Sequence, residues 1–589
     1  MKKAISILLV ALLLSGCASN TVTEATAVPE TTPVETSAPE ETTPVVIPEA
    51  QDYVSRFASE TQIVLSDEGI TVDGGEETAS VYTSHDIVYY EEKVFYDSGY
   101  PYGEGSKADQ HTAEEAAAHT VVNITAPGAY RVSGTLSAGQ IRIDLGEEAS
   151  SDPDAVVELI LGNADITCTV APAILFLNTY EVDGQWSVET AQSVVDTTGA
   201  GANLILEGAN TVSGSYVAKI FKDAEGEKKL WKQDGAIYSY MSMNVYGPGA
   251  LDLTAENEGL DTELHLTIHG GNIAISAGND GINTNEDGVS VTTINGGNLH
   301  IIAGLGDEGD GIDSNGYLVI NGGTVIASAN PAADAGLDSD MGSYINGGTV
   351  IALGSTMDWA ESDSYQVTMN LQFAQPQTAG SAIVITDGNG GTIFTYDPAA
   401  DEALGENARQ YQGAILSCAE FTQGETYSVY VGGVQMQYTG TDVGMGMGGG
   451  MGGQRPDGDK ADMTPPEGFD GEKPEDASMP ADFDPSQMGD GEMPTMPEGM
   501  EMPEGGSRDQ GGFSGEKPDD FDGEMPEGFD GEMPTMPEGE TMPEGEVPEG
   551  GFGGGRGQGG RGAMNGEPST AFYMSDKVNA FSGVTAVTE

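Results

Sequence analysis

A phrase that recurs at a nearly constant interval constrains this chain more than any other feature. The phrase Ile-X-Gly-Gly-Asn/Thr occurs four times at spacings of 26, 26 and 25 residues, beginning at Ile268, Ile294, Ile320 and Ile345. A second phrase, Gly-Leu/Ile-Asp/Asn-Thr/Ser, alternates with it and begins at Gly259, Gly281, Gly311 and Gly336. An interval of this length is typical of a solenoid, in which each repeat packs only against its neighbours.

The residue types within each repeat indicate strands rather than helices. The repeats are dense in Gly, lack any 3.6-residue pattern and do not carry a Leu-dominated phrase. Each contains two short β-prone segments separated by Gly-rich corners, and we expect Ile282, Ile320 and Val325 to point inward, with Ala327 filling a narrow place. These features predict an all-β chain folded as a parallel β-helix with coils of about 25 residues, whose equivalent strands stack about 4.8 Å apart.

The texture of the chain changes several times outside these repeats. The Pro-rich and acidic segments cannot bury enough apolar surface to offset the entropy of ordering, so they are expected to be disordered. The predicted parts are a signal peptide (1–17), a Thr/Pro/Glu-rich linker (18–55), the β-helix (56–365), a small antiparallel β module that covers its last coil (366–440), an acidic Met/Pro/Glu/Gly-rich segment (441–566) and a strand that returns to the β module (567–589).

The first residues indicate export. Lys2 and Lys3 precede a short apolar stretch, 5–14, which is followed by Ser15-Gly16-Cys17. This pattern is typical of a signal peptide rather than a transmembrane helix. Small residues directly before Cys17 predict a lipoprotein cleavage site, with an ordinary secretory signal as the alternative. The predicted location is the outer face of a bacterial membrane, which the protein contacts only through the lipid on Cys17.

The charge of the chain limits its partners. Asp and Glu number 95 against 21 Lys and Arg, giving a formal net charge of −74. Such a surface repels nucleic acid and attracts cations. Once Cys17 is lipidated, Cys168 and Cys418 remain, and two distant thiols do not make a disulfide framework. The sequence does not predict an oligomeric state.

Several phrases together resemble one bacterial family. They are the runs 128–136 (GAYRVSGTL), 159–166 (LILGNADI) and 424–429 (GETYSV), combined with the two repeated phrases. The set is similar to a calcium-binding, carbohydrate-binding β-helix domain of plant-wall-degrading bacteria, over about 60–440 and 570–587. The resemblance implies a right-handed β-helix like that of pectate lyases, bound calcium, and affinity for cellulose or acidic pectic polymers. One departure is Thr262-Glu263, where the family pattern has Ser-Lys.

Acidic side chains at two equivalent positions of the repeats predict a calcium site. One position precedes the Gly of the second phrase and the other follows it by two residues; the candidate ligands are Asp261, Asp280, Asn283, Asp310, Asp313 and Asp338. Equivalent side chains of stacked strands lie about 4.8 Å apart, and calcium binds oxygens at about 2.3–2.6 Å, so one ion fits between two of them. The alternative is that Asp-Gly and Asn-Gly are plain turn formers without a metal.

The sequence favours a binding protein over an enzyme. Eliminative cleavage of a uronic acid needs a strong base such as Lys or Arg, and neither occurs from Gln233 to Ala408. The predicted partner is therefore a polysaccharide that is bound and not cleaved, at residues that the sequence does not identify. A lyase or a hydrolase of pectate-lyase-like fold is one alternative, since hydrolysis needs only two well-placed carboxylates. A structural cell-surface adhesin or stalk is another.

Overall fold

The computed structural model describes nine stretches of the chain: residues 53–90, 94–95, 101–102, 109–184, 186–220, 231–355, 358–400, 408–443 and 567–588. The predictions for the signal peptide, for Cys17 and for nearly all of the linker and the acidic segment lie outside these residues. Within them the all-β prediction is confirmed, because the regular structure consists of strands, one five-residue α-helix and one short 3-10 turn.

The helical elements are α1 (Ala113–Ala117), capped by Thr112 and Glu115, and the 3-10 turn Ala149–Ser151. The first strands are β1 (Glu60–Ser66), β2 (Gly69–Val72), β3 (Val81–Ser84), β4 (Val94–Phe95), β5 (Pro101–Tyr102), β6 (Thr120–Ile124), β7 (Gly128–Leu136), β8 (Gly139–Asp144), β9 (Val157–Cys168), β10 (Ile174–Asn178), β11 (Ala202–Glu207), β12 (Ala209–Gly214), β13 (Val217–Ile220) and β14 (Trp231–Gln233). The next are β15 (Gly235–Ser239), β16 (Met243–Tyr246), β17 (Ala250–Ala255), β18 (Glu258–Thr262), β19 (Leu266–Ile268), β20 (Asn272–Ala277), β21 (Ile282–Thr284), β22 (Val291–Ile294), β23 (Asn298–Ile302), β24 (Ile312–Ser314), β25 (Tyr317–Ile320), β26 (Thr324–Ser328), β27 (Leu337–Ser339), β28 (Gly342–Ile345) and β29 (Thr349–Gly354). The last are β30 (Thr368–Gln377), β31 (Ile383–Thr386), β32 (Thr392–Tyr396), β33 (Tyr411–Ser417), β34 (Thr426–Val431), β35 (Val434–Gln437), β36 (Gly440–Val443), β37 (Phe572–Tyr573) and β38 (Val578–Ala586).

The strands from β10 to β29, apart from β13 and β14, form three stacks of parallel strands. The first stack is β11, β16, β19, β22, β25 and β28; the second is β12, β17, β20, β23, β26 and β29; the third is β10, β15, β18, β21, β24 and β27. From β15 onward the chain visits the third, first and second stacks in strict rotation. Each repeat therefore has three strands rather than the two expected, because the Gly-Gly pair divides one β-prone run into two strands.

The register aligns the repeated phrases. Ile268, Ile294, Ile320 and Ile345 pair in sequence along the first stack, and each is at most 1% exposed. Ile282, Ile320 and Val325 are fully buried, as expected from the sequence. This burial is the main source of stability, since each buried aliphatic side chain contributes about 1.5–3 kcal/mol. A Cβ on Gly311 would lie 2.3 Å from the carbonyl oxygen of Gly336, so the corner of this repeat requires glycine.

One repeat is much longer than the others. On the third stack Leu175 of β10 pairs with Tyr238 of β15, which lies 63 positions later. Two insertions account for the difference: residues 179–201 between β10 and β11, and residues 215–234, which include the antiparallel pair β13–β14.

Both ends of the stacks meet antiparallel strands. At the amino-terminal end β3 pairs antiparallel with β6, which continues the sheet of the third stack. At the other end β33 pairs antiparallel with both β29 and β30. β38, from near the end of the chain, pairs parallel with β30 and antiparallel with β36. Among the described residues no helix is long and apolar enough to cross a membrane.

Candidate metal-binding site

A column of polar side chains runs along the third stack. The pairing of β15, β18, β21, β24 and β27 places the following residues in one register: Tyr238, Asp261, Asn283, Asp313 and Asp338. Asp261 is fully buried and Asn283 is 6% exposed, whereas Asp313 and Asp338 are half-buried. The column is therefore closed to solvent at the Asp261 end and open at the Asp338 end.

A second acidic column lies just before these strands. The backbone N–H of Gly259 donates to the carbonyl of Asp280, and that of Gly281 donates to the carbonyl of Asp310. The side chains are also linked: the Asp310 N–H donates to Asp280 Oδ1 at 2.7 Å, and the Ala335 N–H donates to Asp310 Oδ1. Each of these carboxylates thus uses one oxygen to hold the backbone of the next repeat.

The two columns converge on three carboxylates. Oxygen atoms of Asp234, Glu258 and Asp261 all lie within 4.8 Å of one another. Glu258 Oε2 and Asp261 Oδ2 are buried and have no hydrogen-bond partner, and Asn283 Oδ1 in the next repeat has none either. Unsatisfied buried oxygens are costly, at about 1–3 kcal/mol or more for charged groups. Such a set is the arrangement that a cation stabilises.

The electrostatics of the columns reflect the same crowding. Burial and the neighbouring Glu258 hold the pKa of Asp261 well above its usual range. Burial, together with Glu258 and Asp313, likewise raises the pKa of Asp280. Burial and the charge of Asp338 raise the pKa of Asp310 to about 7 and that of Asp313 to about 8. Without a cation these carboxyls therefore resist ionisation at neutral pH.

Lys232 brings a positive charge to the buried end of the columns. Its Nζ lies 2.7 Å from Asp234 Oδ2 and donates to Asn285, whose amide in turn donates to Asp261. Burial disfavours the ammonium, but the attraction of Asp234, Glu258 and Asp261 outweighs it and holds the pKa of Lys232 well above its usual value. The absence of bases from 233 onward therefore does not exclude a lysine from the site, because Lys232 enters it from the insertion.

Two further acids were missed from the sequence. Glu258 precedes Gly259 as Asp280 precedes Gly281, so the phrase itself contained the signal. Asp358 lies outside the repeats and had no such signal. It sits beside Asp338, and burial together with that hydrogen-bonding neighbour raises the pKa of Asp358 to about 8.

Residues 118–416, about half of the chain, match the family described as carbohydrate-binding domain-containing protein. The chain belongs to this family. A relative with the same description from Acetivibrio thermocellus is 32% identical over 157 residues, which are 26% of this chain and 45% of that protein. The chain thus spans less than half the length of the curated relative it matches.

A solved structure of a polysaccharide lyase-like protein from C. thermocellum, as a gadolinium derivative, is also similar. It is 20% identical, the match covers 51% of this chain and 93% of that one, and the TM-score is 0.29. A score this low carries no argument about either fold or site.

The donors in this carbohydrate-binding domain are chemically suited to a hard cation. Calcium takes six to eight oxygen ligands from carboxylates, amide carbonyls and water, and the columns supply carboxylates and an amide oxygen. The histidines lie elsewhere: His265 is beside Asp183 at 3.5 Å, and His269 stacks on Tyr246 with ring centroids 4.6 Å apart. A transition-metal site at the columns is therefore disfavoured.

The aromatic residues do not line the acidic columns as an exposed platform. Tyr238 is fully buried, and its hydroxyl donates to Glu263. Tyr317 and Tyr344 are half-exposed neighbours on the first stack, with ring centroids 6.3 Å apart. Cys168 and Cys418 are buried free thiols, and burial raises the pKa of each to about 11, so neither is a reactive nucleophile.

Proposed function

We propose that this protein binds a plant-wall-type polysaccharide through calcium held in the two acidic columns, and does not cleave it. One observation carries the proposal: the buried oxygens of Glu258, Asp261 and Asn283 have no hydrogen-bond partner although they face one another across adjacent repeats. A divalent cation satisfies all of them at once. The family assignment supplies the class of ligand, a carbohydrate.

We infer a right-handed parallel β-helix as the scaffold. The support is the strict rotation of the chain through three parallel stacks, because right-handed crossovers between parallel strands are strongly preferred. In such a solenoid the acidic columns extend along the axis. A linear polymer can then contact several repeats in succession.

The columns offer two environments, and we assign them different roles. Asp234, Glu258 and Asp261 are covered by Lys232 and Asn285, so an ion there would stabilise the fold. Asp313, Asp338 and Asp358 are half-exposed, so an ion there could also reach a ligand. At that end calcium would bridge protein carboxylates to the carboxylates of a polyuronate, which the acidic surface would otherwise repel.

The location of the protein follows from the first residues. The Ser15-Gly16-Cys17 pattern after a short apolar stretch supports export and lipid attachment at Cys17. The binding domain would then be displayed on the outer face of a bacterial membrane, where wall polysaccharides are met.

The test compares binding of polygalacturonate with and without calcium. The full chain is titrated by calorimetry in calcium and in chelator, as wild type, as Asp313→Asn and as Asp252→Asn, an exposed acid on β17 away from the columns. We expect saturable binding only in calcium, at least about tenfold weaker for D313N and unchanged for D252N. Equal affinity in calcium and chelator would exclude the proposal.

A lyase is the second candidate, and Lys232 is the observation that favours it. A lysine beside carboxylates could serve as the base of an elimination if its ammonium lost its proton. The surrounding acids work against this, because they hold the pKa of Lys232 well above its usual value. Ultraviolet absorbance during the same titrations separates the candidates. Unsaturated products that disappear in Lys232→Met would make the protein a lyase.

A further inference from the structure

A second cavity lies on the first stack, and none of its lining residues belongs to the acidic columns. Its volume is about 650 Å³. The floor is the outward face of β19, β22, β25 and β28, where Thr267, Thr293, Val319 and Tyr344 lie in register. Since neighbouring strands are about 4.8 Å apart, the floor extends about 14 Å along the stack.

A ladder of amides runs beside this floor. Asn321 donates to Asn295 Oδ1 at 2.8 Å, and Asn346 donates to Asn321 Oδ1 at 2.9 Å. These three residues follow the Ile of the repeated phrase, and His269 occupies the same position one repeat earlier. His269 is 5% exposed, and neither of its ring nitrogens has a hydrogen-bond partner. An unsatisfied imidazole among the lining residues points to a polar ligand.

The cavity is bounded at both ends by segments outside the repeats. At one end the insertion 193–198 is fixed to the sheet by Thr197, whose hydroxyl is 2.7 Å from both Asn244 Oδ1 and Thr267 Oγ1. At the other end the Tyr365 N–H donates to Asn346 Oδ1 at 3.2 Å. The result is a short groove that runs along the stack rather than a shallow surface.

The lining chemistry selects against anions. No Lys or Arg lines the groove, while the exposed carboxylates of Asp196 and Asp363 lie at its two ends. Between them are hydroxyls and amides, which can both donate to and accept from sugar hydroxyls. The rings of Tyr344 and Tyr365 offer apolar faces for the C–H groups of a sugar, and Tyr365 is 43% exposed.

We propose that this groove binds a neutral oligosaccharide, a short chain of uncharged hexoses lying along the first stack. The site is separate from the acidic columns and does not use calcium. The inference rests on the proposed carbohydrate-binding function and divides it between two sites, one for acidic and one for neutral chains. A single protein could then attach to both components of a mixed wall material.

The test is calorimetry of the full chain with cellotetraose, in calcium and in chelator, alongside polygalacturonate in calcium. Thr293→Trp places a large ring in the middle of the groove, and Thr254→Trp is its control on an exposed position of β17 outside the groove. We expect wild type and T254W to bind cellotetraose equally in calcium and chelator. T293W should bind it at least about tenfold more weakly and keep its affinity for polygalacturonate.

The outcomes separate the two proposals. Failure of wild type to bind cellotetraose, or unchanged binding by T293W, would overturn the groove while leaving polygalacturonate binding to report on the columns. Equal loss of both ligands in T293W would place them at one site and would also overturn the inference. Tyr344→Ala and Tyr344→Phe give a second check: the ring contact predicts that only the alanine variant weakens cellotetraose binding.

Discussion

The repeats from β15 to β29 and the long repeat before them differ in what they contribute. Along the third stack the regular repeats bring Asp261, Asn283 and Asp313 into register at separations of 22 and 30 residues. The long repeat separates its register partners Leu175 and Tyr238 by 63 residues. The regular repeats supply ladders of like side chains, whereas the long repeat supplies single groups that no other repeat has.

This difference explains the asymmetry of both candidate sites. The acid columns are a product of repetition, but the cation that enters them, Lys232, belongs to the second insertion. The groove floor is likewise repetitive, and Thr197, which fixes its wall, belongs to the first insertion. Repetition therefore builds extended surfaces, and the insertions determine where along them a ligand is held.

The largest expected effect comes from removing the inserted cation. In chelator, Lys232→Met leaves the buried carboxylates of the cluster without a counter-charge, so the free energy of unfolding should fall by about 3–5 kcal/mol. In calcium the ion replaces the missing charge, and the loss should be much smaller. Urea denaturation under both conditions measures the difference.

Lys577→Met is the control for this variant, because Lys577 makes a surface hydrogen bond to the Tyr365 carbonyl at 2.7 Å. Its effect should be no more than about 0.5–1.5 kcal/mol and should not depend on calcium. An equal loss for K232M in calcium and in chelator would mean that the lysine and the ion do not share one cluster.

A second prediction compares the two regions in packing. Ile294 is fully buried between Ile268 and Ile320, whereas Val194 of the insertion is 69% exposed. Ile294→Ala should lower the free energy of unfolding by about 2–5 kcal/mol, and Val194→Ala should change it by no more than about 0.5 kcal/mol. Urea denaturation checks both. Similar losses for the two variants would show that the insertion is as tightly packed as the repeats.

What the sequence could predict follows the same division. The repeated phrases predicted which residues align, and Asp261, Asn283, Asp313 and Asp338 do lie in one column. That prediction succeeds because in a parallel stack a constant chain length between equivalent strands fixes the register. Whether these residues bind calcium stays a prediction.

The insertions could not be predicted in the same way. Lys232 reaches the columns because β14 pairs with β13 through Val217 and Gln233, a contact that no repeat length determines. Thr197 reaches the first stack from a segment without any repeated phrase. Glu258 differs from both, since its position before Gly259 matches that of Asp280. It was missed because Glu replaced the expected Asp.

The smallest expected effect is a pH dependence that belongs to the regular repeats alone. Burial and the charge of Asp338 raise the pKa of Asp310 to about 7 and of Asp313 to about 8 in the folded state, against about 4 in the unfolded chain. Groups with raised folded values stabilise the protein fully at low pH, and this stability is lost as pH rises through the folded values. In chelator the melting temperature should therefore fall from about pH 5 to about pH 8, and part of this fall should be absent in D313N. Calcium favours the ionised carboxylates, so in calcium the fall should be reduced or reversed. Thermal melts at several pH values measure this, and a melting temperature in chelator that rises over the range would show that the columns do not control stability.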